Sequence, residues 1–336
     1  MTSEAYRRAG VDTGAADRLV GRIGPAVTAT WGDRVLGGFG GFAAGVRIPD
    51  GYREPVLMLS TDGVGTKLEL ARMLGKYDTV GHDLVAMCAD DLAAVGAEPI
   101  GFVDYIAVGA LDEAREAAIV GGVAAGCALA GCALVGGETA EHPGVMGADQ
   151  VDLAGTALGV VEADHRLHPG LVRAGDVLIG VDSPNLRSNG FSLVRRILDE
   201  VGVDGSIDGV PILEVLLEPS VIYSPAAVAA SHLDGVHGLV HVTGGGLPGN
   251  VPRVLPDGLG ASVDPTTWQA PEVFGWLARA GGLAGDDLYG AFNMGIGYVV
   301  VATPGAADAA IAAFGDRGHA ARVIGRVTET PGFSLG

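Results

Sequence analysis

Eight consecutive residues, Ser60-Thr61-Asp62-Gly63-Val64-Gly65-Thr66-Lys67, carry the group types that phosphate chemistry needs. Gly63 and Gly65 let the backbone turn and bring its N–H groups close to an anion, and the hydroxyl of Thr66 and the ammonium of Lys67 follow at once. Asp62 adds a carboxylate, the usual hard-oxygen partner of Mg2+ beside a nucleotide. The spacing is not that of a Walker A loop, which places four residues between its glycine and the Gly-Lys pair. A glycine turn with a surface lysine is the plainer alternative, and these residues alone leave it open. Composition adds one point: of 21 Lys and Arg residues only Lys67 and Lys76 are lysines, so arginine, favoured elsewhere in the chain, was not used here.

Other acids and glycines fall into similar settings. Asp83 and Asp90 are seven residues apart on a helix expected over 78–95, and Asp91 sits beside that face. The pair Asp90-Asp91 interrupts an apolar run, where carboxylates need a compensating cation, so a metal is one reading and a solvated helix face the other. Gly136-Gly137-Glu138-Thr139 reads as a second strand end carrying glycines, a carboxylate and a hydroxyl. Ser188-Asn189-Gly190 precedes a helix and suits either an anion or sugar site or an ordinary cap. Thr243-Gly244-Gly245-Gly246 follows a strand and presents several free N–H groups. The loop 37–45, with Gly40, Gly41 and two Phe tips, reads as a cover that excludes water or as a surface linker. His237 and His241 have no partner at ligand spacing and read as structural.

These segments need a frame that holds them at strand ends. Apolar runs at 55–59, 101–109, 133–135 and 151–162 read as strands, and the alternation within 100–109 and 151–162 suits antiparallel neighbours, so the expected fold is α+β rather than doubly wound. Residues 1–50 read as irregular apart from an ordered arm at 6–12. At 336 residues, two domains are expected, 1–168 and 169–336, with the join where His165, His168, Pro169 and Gly170 cluster. A formal charge of −19 repels nucleic acid and anionic membranes, so a phosphate ligand must be small and held by local groups. Cys88, Cys127 and Cys132 read as buried thiols in a reducing compartment, and no secretory signal is apparent at the amino terminus. Residues 117–137 carry no charge, but their glycines and acidic flanks point to a buried helix, turn and strand rather than a membrane span.

Taken in order, Asp62-Gly63-Val64-Gly65-Thr66-Lys67, Asp83 to Cys88, Gly96-Ala97-Glu98-Pro99, Gly136 to Glu141, Ser188 to Arg195 and Thr243 to Gly246 resemble the phosphoribosylformylglycinamidine cyclo-ligase family. The resemblance runs from Tyr6 to Gly297. It implies a cytoplasmic homodimer in which the amino-terminal halves of two subunits join their strands into a barrel. It also implies ATP and Mg2+ as cofactors and closure of the imidazole ring of a purine precursor, a ribonucleotide. On this basis Lys67 is expected at the transferred phosphate, so that Lys67→Ala stays folded but inactive. Gly40, Gly41, Gly63, Gly65 and Thr66 are expected at the nucleotide, and Asp62, Asp90, Asp91 and Glu138 at metal. Arg187, Ser188, Asn189, Gly190, Thr243, Gly244 and Gly245 are expected at the ribonucleotide.

Two positions depart from the family pattern. Relatives commonly have histidine where Arg187 stands, and a guanidinium cannot exchange a proton near neutral pH. They often have asparagine where Asp90 stands. Rival readings are a related kinase or ligase such as thiamine-monophosphate kinase or selenophosphate synthetase, and a nucleotide-binding protein without catalysis.

Overall fold

A computed structural model describes residues 13–336, and the arm expected at 6–12 lies outside the described residues. In the amino-terminal half, helix α1 (Thr13–Ala29) leads to the hairpin β1 (Val35–Leu36) and β2 (Gly45–Val46). Then come β3 (Pro55–Gly63), α2 (Lys67–Leu74), α3 (Val80–Ala94), β4 (Glu98–Val108), α4 (Glu113–Ala130), β5 (Ala133–Glu141) and β6 (Val151–Glu162). The sheet order is β3-β6-β4-β5, antiparallel except for β4 with β5.

After a linker, the carboxy-terminal half begins with β7 (Val177–Asp182) and α5 (Phe191–Val201). A short hairpin, β8 (Ser206–Ile207) and β9 (Val210–Pro211), precedes α6 (Ile212–Leu217), α7 (Ser224–Ser231), β10 (Val236–His241) and α8 (Gly246–Asn250). The rest is β11 (Gly260–Val263), α9 (Glu272–Gly281), α10 (Asp286–Tyr289), β12 (Ile296–Ala302), α11 (Ala307–Gly315), β13 (Ala321–Thr328) and β14 (Gly332–Leu335). Its sheet runs β10-β12-β7-β13-β11-β14, antiparallel except for β11 with β14. Both sheets are therefore mixed and mostly antiparallel, as the α+β expectation requires, and neither closes on itself within the chain.

Helix α3 lies between the two halves. It packs on β3, β4 and β6 on one side and on α7 and β10 on the other. It is buried from Val80 to Ala93 except at Asp91 and, in part, His82, which is why its sequence is apolar nearly all round rather than along one stripe. Helix α4 approaches α3 at glycines: a β-carbon on Gly81 would lie 2.1 Å from the Ile119 carbonyl oxygen, and one on Gly122 would lie 2.3 Å from that of Asp78. Asp112 caps α4, accepting from the N–H groups of Ala114 and Arg115. The uncharged stretch 117–137 is thus a buried helix, a left-handed turn at Gly131 and a strand. No described helix is long and apolar enough to cross a membrane.

Helix α1 corrects the irregular reading of residues 1–50. The helix runs through Gly14, Gly21, Gly24 and Pro25, with Leu19 and Val27 buried and its length packed along α4. Tertiary burial overrides weak propensity here.

Among the described residues, the buried Asp104 has no cation beside it. Asp104 on β4 faces the helices, its Oδ2 has no partner, and burial pushes its carboxyl up to about 7. Its Oδ1 lies 1.8 Å from where a β-carbon on Gly137 would be, so β5 needs glycine at that position. Unfolded, the carboxyl releases its proton near pH 4; folded, it holds it to about 7. Between those values the native chain binds a proton that the unfolded chain has lost, so stability falls as pH rises, by at most about 1.4 kcal/mol per pH unit. Asp104→Asn removes this loss. Its melting temperature should gain on the wild type between about pH 5 and pH 8, and a gap that does not change with pH in thermal melts would refute the assignment.

Candidate active site

Three glycine-containing loops meet around the middle of α3. Asp62 closes β3, half-buried, and its Oδ1 accepts from the N–H of Gly63 at 2.7 Å. Gly65 takes a left-handed φ of 69°, and Thr66 begins α2 with its hydroxyl 3.2 Å from that of Ser192 on α5. Asn189 donates to the sulfur of Met87 on α3 at 3.6 Å, and its Oδ1 lies 3.6 Å from where a β-carbon on Gly244 would be. Asp62, Gly63, Gly65, Thr66, Asn189 and Gly244, drawn from both halves, are thereby brought together. Ser188 has a buried hydroxyl with no partner among the described residues, and Gly190 precedes α5 with a φ of 82°.

The turn Thr243–Gly246 curls around the Asn250 amide, whose Nδ2 donates to the carbonyls of Thr243, Gly244 and Gly246 while its Oδ1 accepts from the Thr243 hydroxyl. Asn250 was missed from sequence because nothing local marks an amide six residues beyond a glycine.

Asp91 accepts from Nδ1 of His241 at 2.8 Å. Although burial works to raise it, the His241 hydrogen bond and charge hold the Asp91 carboxyl below the usual range. The Asp62 carboxyl is pushed up, first by burial and then by the Asp91 charge. A cation beside Asp62 would relieve its raised carboxyl, and Asp62 with Asp91 offers the hard-oxygen chemistry that suits a divalent metal. His241, read from sequence as structural, has a partner after all, and its Nε2 is buried with none among the described residues. Its place at the end of β10, just before the glycine turn, was the available signal.

Four expectations are corrected. Lys67 is fully buried, and its Nζ reaches Asp83 at 2.7 Å and the carbonyl oxygens of Glu218 at 2.6 Å and Arg187 at 3.2 Å. No donor is left to meet a phosphate. Burial pushes the ammonium down and Asp83 opposes this. Asp90 is not a metal ligand, because it pairs with Arg187 at 2.5 Å and accepts from the N–H groups of Tyr223 and Ser224. Arg187 in turn is not at a substrate surface: its side chain is fully buried, lies over the Tyr223 ring and donates to the Val221 carbonyl. The two departures from the family pattern meet each other. Glu138 lies within β5 rather than past its end, and the row Asp62, Gly155, Asp104, Gly137 crosses the whole sheet, which puts Glu138 about 14 Å from Asp62. Among the described residues no three His, Cys, Asp or Glu groups converge for a metal.

Gly40 and Gly41 also stay apart. Their hairpin leans on Glu98 through Arg34, and Phe42 at its tip is fully exposed.

Residues 41–161 match the family described as AIR synthase related protein, N-terminal domain, and residues 173–336 match its C-terminal domain. The chain is 47% identical over 332 residues to a phosphoribosylformylglycinamidine cyclo-ligase of Xanthomonas campestris pv. campestris, covering 97% of each. It is 46% identical over the same length to one of Xanthomonas oryzae pv. oryzae, again covering 97% of each. The fold resembles thiamine-monophosphate kinase from Stenotrophomonas maltophilia, with TM-score 0.67, 20% identity, and 95% and 94% of the chains covered. It also resembles T. maritima PurL complexed with AMPPCP, with TM-score 0.57, 18% identity, and 84% of this chain against 42% of that one.

The buried pairs generate a test. Asp90→Asn or Arg187→His alone strands a buried charge and should lower unfolding free energy by about 3–5 kcal/mol. The double variant should recover at least about 2 kcal/mol of the summed loss in urea titrations, since partners in contact couple. Additive losses would mean that the pair is not coupled. Lys67→Ala strands Asp83 in the same way, so a loss of stability now replaces the folded, inactive protein expected from sequence.

Proposed function

The chain belongs to the phosphoribosylformylglycinamidine cyclo-ligase family, and from that we propose that it closes the imidazole ring of aminoimidazole ribonucleotide in purine biosynthesis, using ATP. End-to-end identity of 47% to a cyclo-ligase carries the reading. The meeting of Asp62, Thr66, Asp91, Asn189 and Gly244 in one region supports it.

An amide oxygen is a poor leaving group. The proposed route transfers the γ-phosphoryl group of ATP to the formyl oxygen of formylglycinamidine ribonucleotide. The neighbouring nitrogen then attacks that carbon, one C–N bond forms, the C–O bond to phosphate breaks, and the nitrogen loses a proton. The products are aminoimidazole ribonucleotide, ADP and phosphate. Such transfer needs alignment and charge neutralisation more than covalent help. Asp62 and Asp91 would hold Mg2+, which supplies neutralisation of phosphate charge when bound. The N–H groups of Gly63 and Gly65 and the Thr66 hydroxyl would orient the nucleotide phosphates. Ser188, Asn189 and the turn Thr243–Gly245 would orient the ribonucleotide.

A homodimer fits one surface. Leu57, Leu59, Val103 and Tyr105 lie on the sheet face away from α3 and α4, and Leu59 is 71% exposed. An apolar face of this kind suits a second copy of the sheet. The three cysteines are buried free thiols, in keeping with the reducing cytoplasm proposed as its location.

The deciding assay is ATP-dependent formation of a diazotisable aromatic amine from formylglycinamidine ribonucleotide; ATP binding without turnover would favour an inert nucleotide-binding module. Asp62→Asn should lower kcat about a hundredfold and raise the Mg2+ concentration needed for half-maximal rate, with little change in melting temperature. Wild-type kcat in that variant would remove Asp62 from the site.

A further inference from the structure

A cleft of about 320 Å³ runs along β10 between the two halves, walled by Ser60 of β3, by α3 and by the segment after α8. Four of its lining residues form one connected group. Asp91 accepts from His241, His241 leads by one residue into the glycine turn, Asn250 fills that turn, and Arg253 donates to Asn250 Oδ1 at 3.2 Å. Among the described residues, Arg253 is the one Lys or Arg side chain that lines the cleft. Lys67 is spent on Asp83 and two carbonyl oxygens, so phosphoryl transfer needs its cation from elsewhere.

Arg253 is free for that task. Its one hydrogen bond among the described residues is to Asn250, which holds the fork in place and leaves Nε and Nη2 open. It is near enough to Asp91 for its charge to act there: burial works to raise that carboxyl, while His241 first and Arg253 after it hold it down. Yet Asp91 pairs with His241 and not with Arg253, so the guanidinium is not consumed by the neighbouring acid. The turn adds donors. Asn250 Nδ2 takes the carbonyls of Thr243, Gly244 and Gly246, while the N–H groups of Thr243, Gly244 and Gly245 make no hydrogen bond among the described residues. Unspent N–H groups beside a guanidinium suit an anion. His241 is an independent sign: it lines the cleft, is 4% exposed, and its buried Nε2 has no partner among the described residues, as at a place that a ligand completes.

Resting on the cyclo-ligase reading, we propose that Arg253 is a catalytic residue whose guanidinium holds the phosphoryl group of ATP during its transfer to the formyl oxygen, the task expected of Lys67 from sequence. Arg253 stands beside both Asp91, at the nucleotide phosphates, and the glycine turn, at the ribonucleotide, and the transferred group passes between those two. In that step the bond from the γ-phosphorus to the ADP oxygen breaks and its electron pair leaves with ADP. The formyl oxygen supplies the pair for the new P–O bond. The other phosphoryl oxygens stay negative throughout, and the open Nε and Nη2 match two of them. In a chain of net charge −19, that charge has to be met by a group placed at the spot.

The test joins kinetics to binding. Arg253→Ala should lower kcat about a hundredfold and leave KM for ATP and for the ribonucleotide within about threefold. Its melting temperature should stay that of the wild type, since the side chain is exposed and its loss strands no buried charge. Guanidinium ion, added well below denaturing concentrations, should raise the rate of Arg253→Ala about tenfold and leave wild type unchanged, and Arg253→Lys should fall between the two, an ammonium giving charge without the fork. By calorimetry in the presence of ADP, inorganic phosphate should bind Arg253→Ala at least about tenfold more weakly than wild type. A kcat within about threefold of wild type, or phosphate binding that Arg253→Ala leaves unchanged, overturns the proposal, while ring closure by the wild type keeps the cyclo-ligase reading. Phosphate binding that depends on Arg253 in a wild type that closes no ring overturns the cyclo-ligase reading and keeps Arg253 as the phosphate contact.

Discussion

Two carboxylates on one helix, each closed off from water and each matched by a single cation, fix how the halves of this chain meet. Asp83 and Asp90 sit one heptad apart on α3; Lys67 pairs with Asp83 from the same half while the N–H and hydroxyl of Ser220 reach Asp83 from the other, and Arg187 reaches Asp90 across the same join. A buried charge left without its partner is strongly unfavourable, so the halves can take only the arrangement that satisfies both acids together. Arg187 ties the two pairs together: its side chain reaches Asp90, and its carbonyl, turned by a left-handed φ of 62°, accepts from Lys67. The loops that carry Asp62, Asn189 and Thr243 leave elements held by this arrangement, and so their meeting depends on it.

The sorting of polar groups follows from depth. Groups at full burial make ion pairs and hold structure, whereas those at the rim, Asp62, Thr66, Asp91, Asn189 and Gly244, keep atoms free for ligands. Sequence spacing does not report depth. Lys67 and Thr66 are adjacent in the chain, yet α2 begins between them and turns the ammonium inward while the hydroxyl stays near Ser192. The expensive setting of Asp90 was legible in its apolar neighbours, and the inference of a compensating cation was sound. That the cation was an arginine 97 residues away required the fold.

Strands and most helices were legible because their periodicity is strong. Strand β6 has the bounds read from sequence, and the uncharged stretch 117–137 folds as the buried helix, turn and strand expected there. Helix α1 was not legible, since its glycines and proline mask a face that only contact with α4 reveals. Glu138 misled for a different reason. Glycines inside a strand resemble a strand end, but Gly137 is there to admit the Asp104 carboxyl from the next strand.

The contact between Asp90 and Arg187 also bears on the history of the sequence. The two side chains carry opposite charges in contact, and a change at either one alone would leave a lone ion in a dry interior. Inheritance of the two is therefore coupled, and a lineage that replaces the pair needs spare stability in hand, or both changes close together. Covariation of these two positions among descendants is the trace such a crossing leaves.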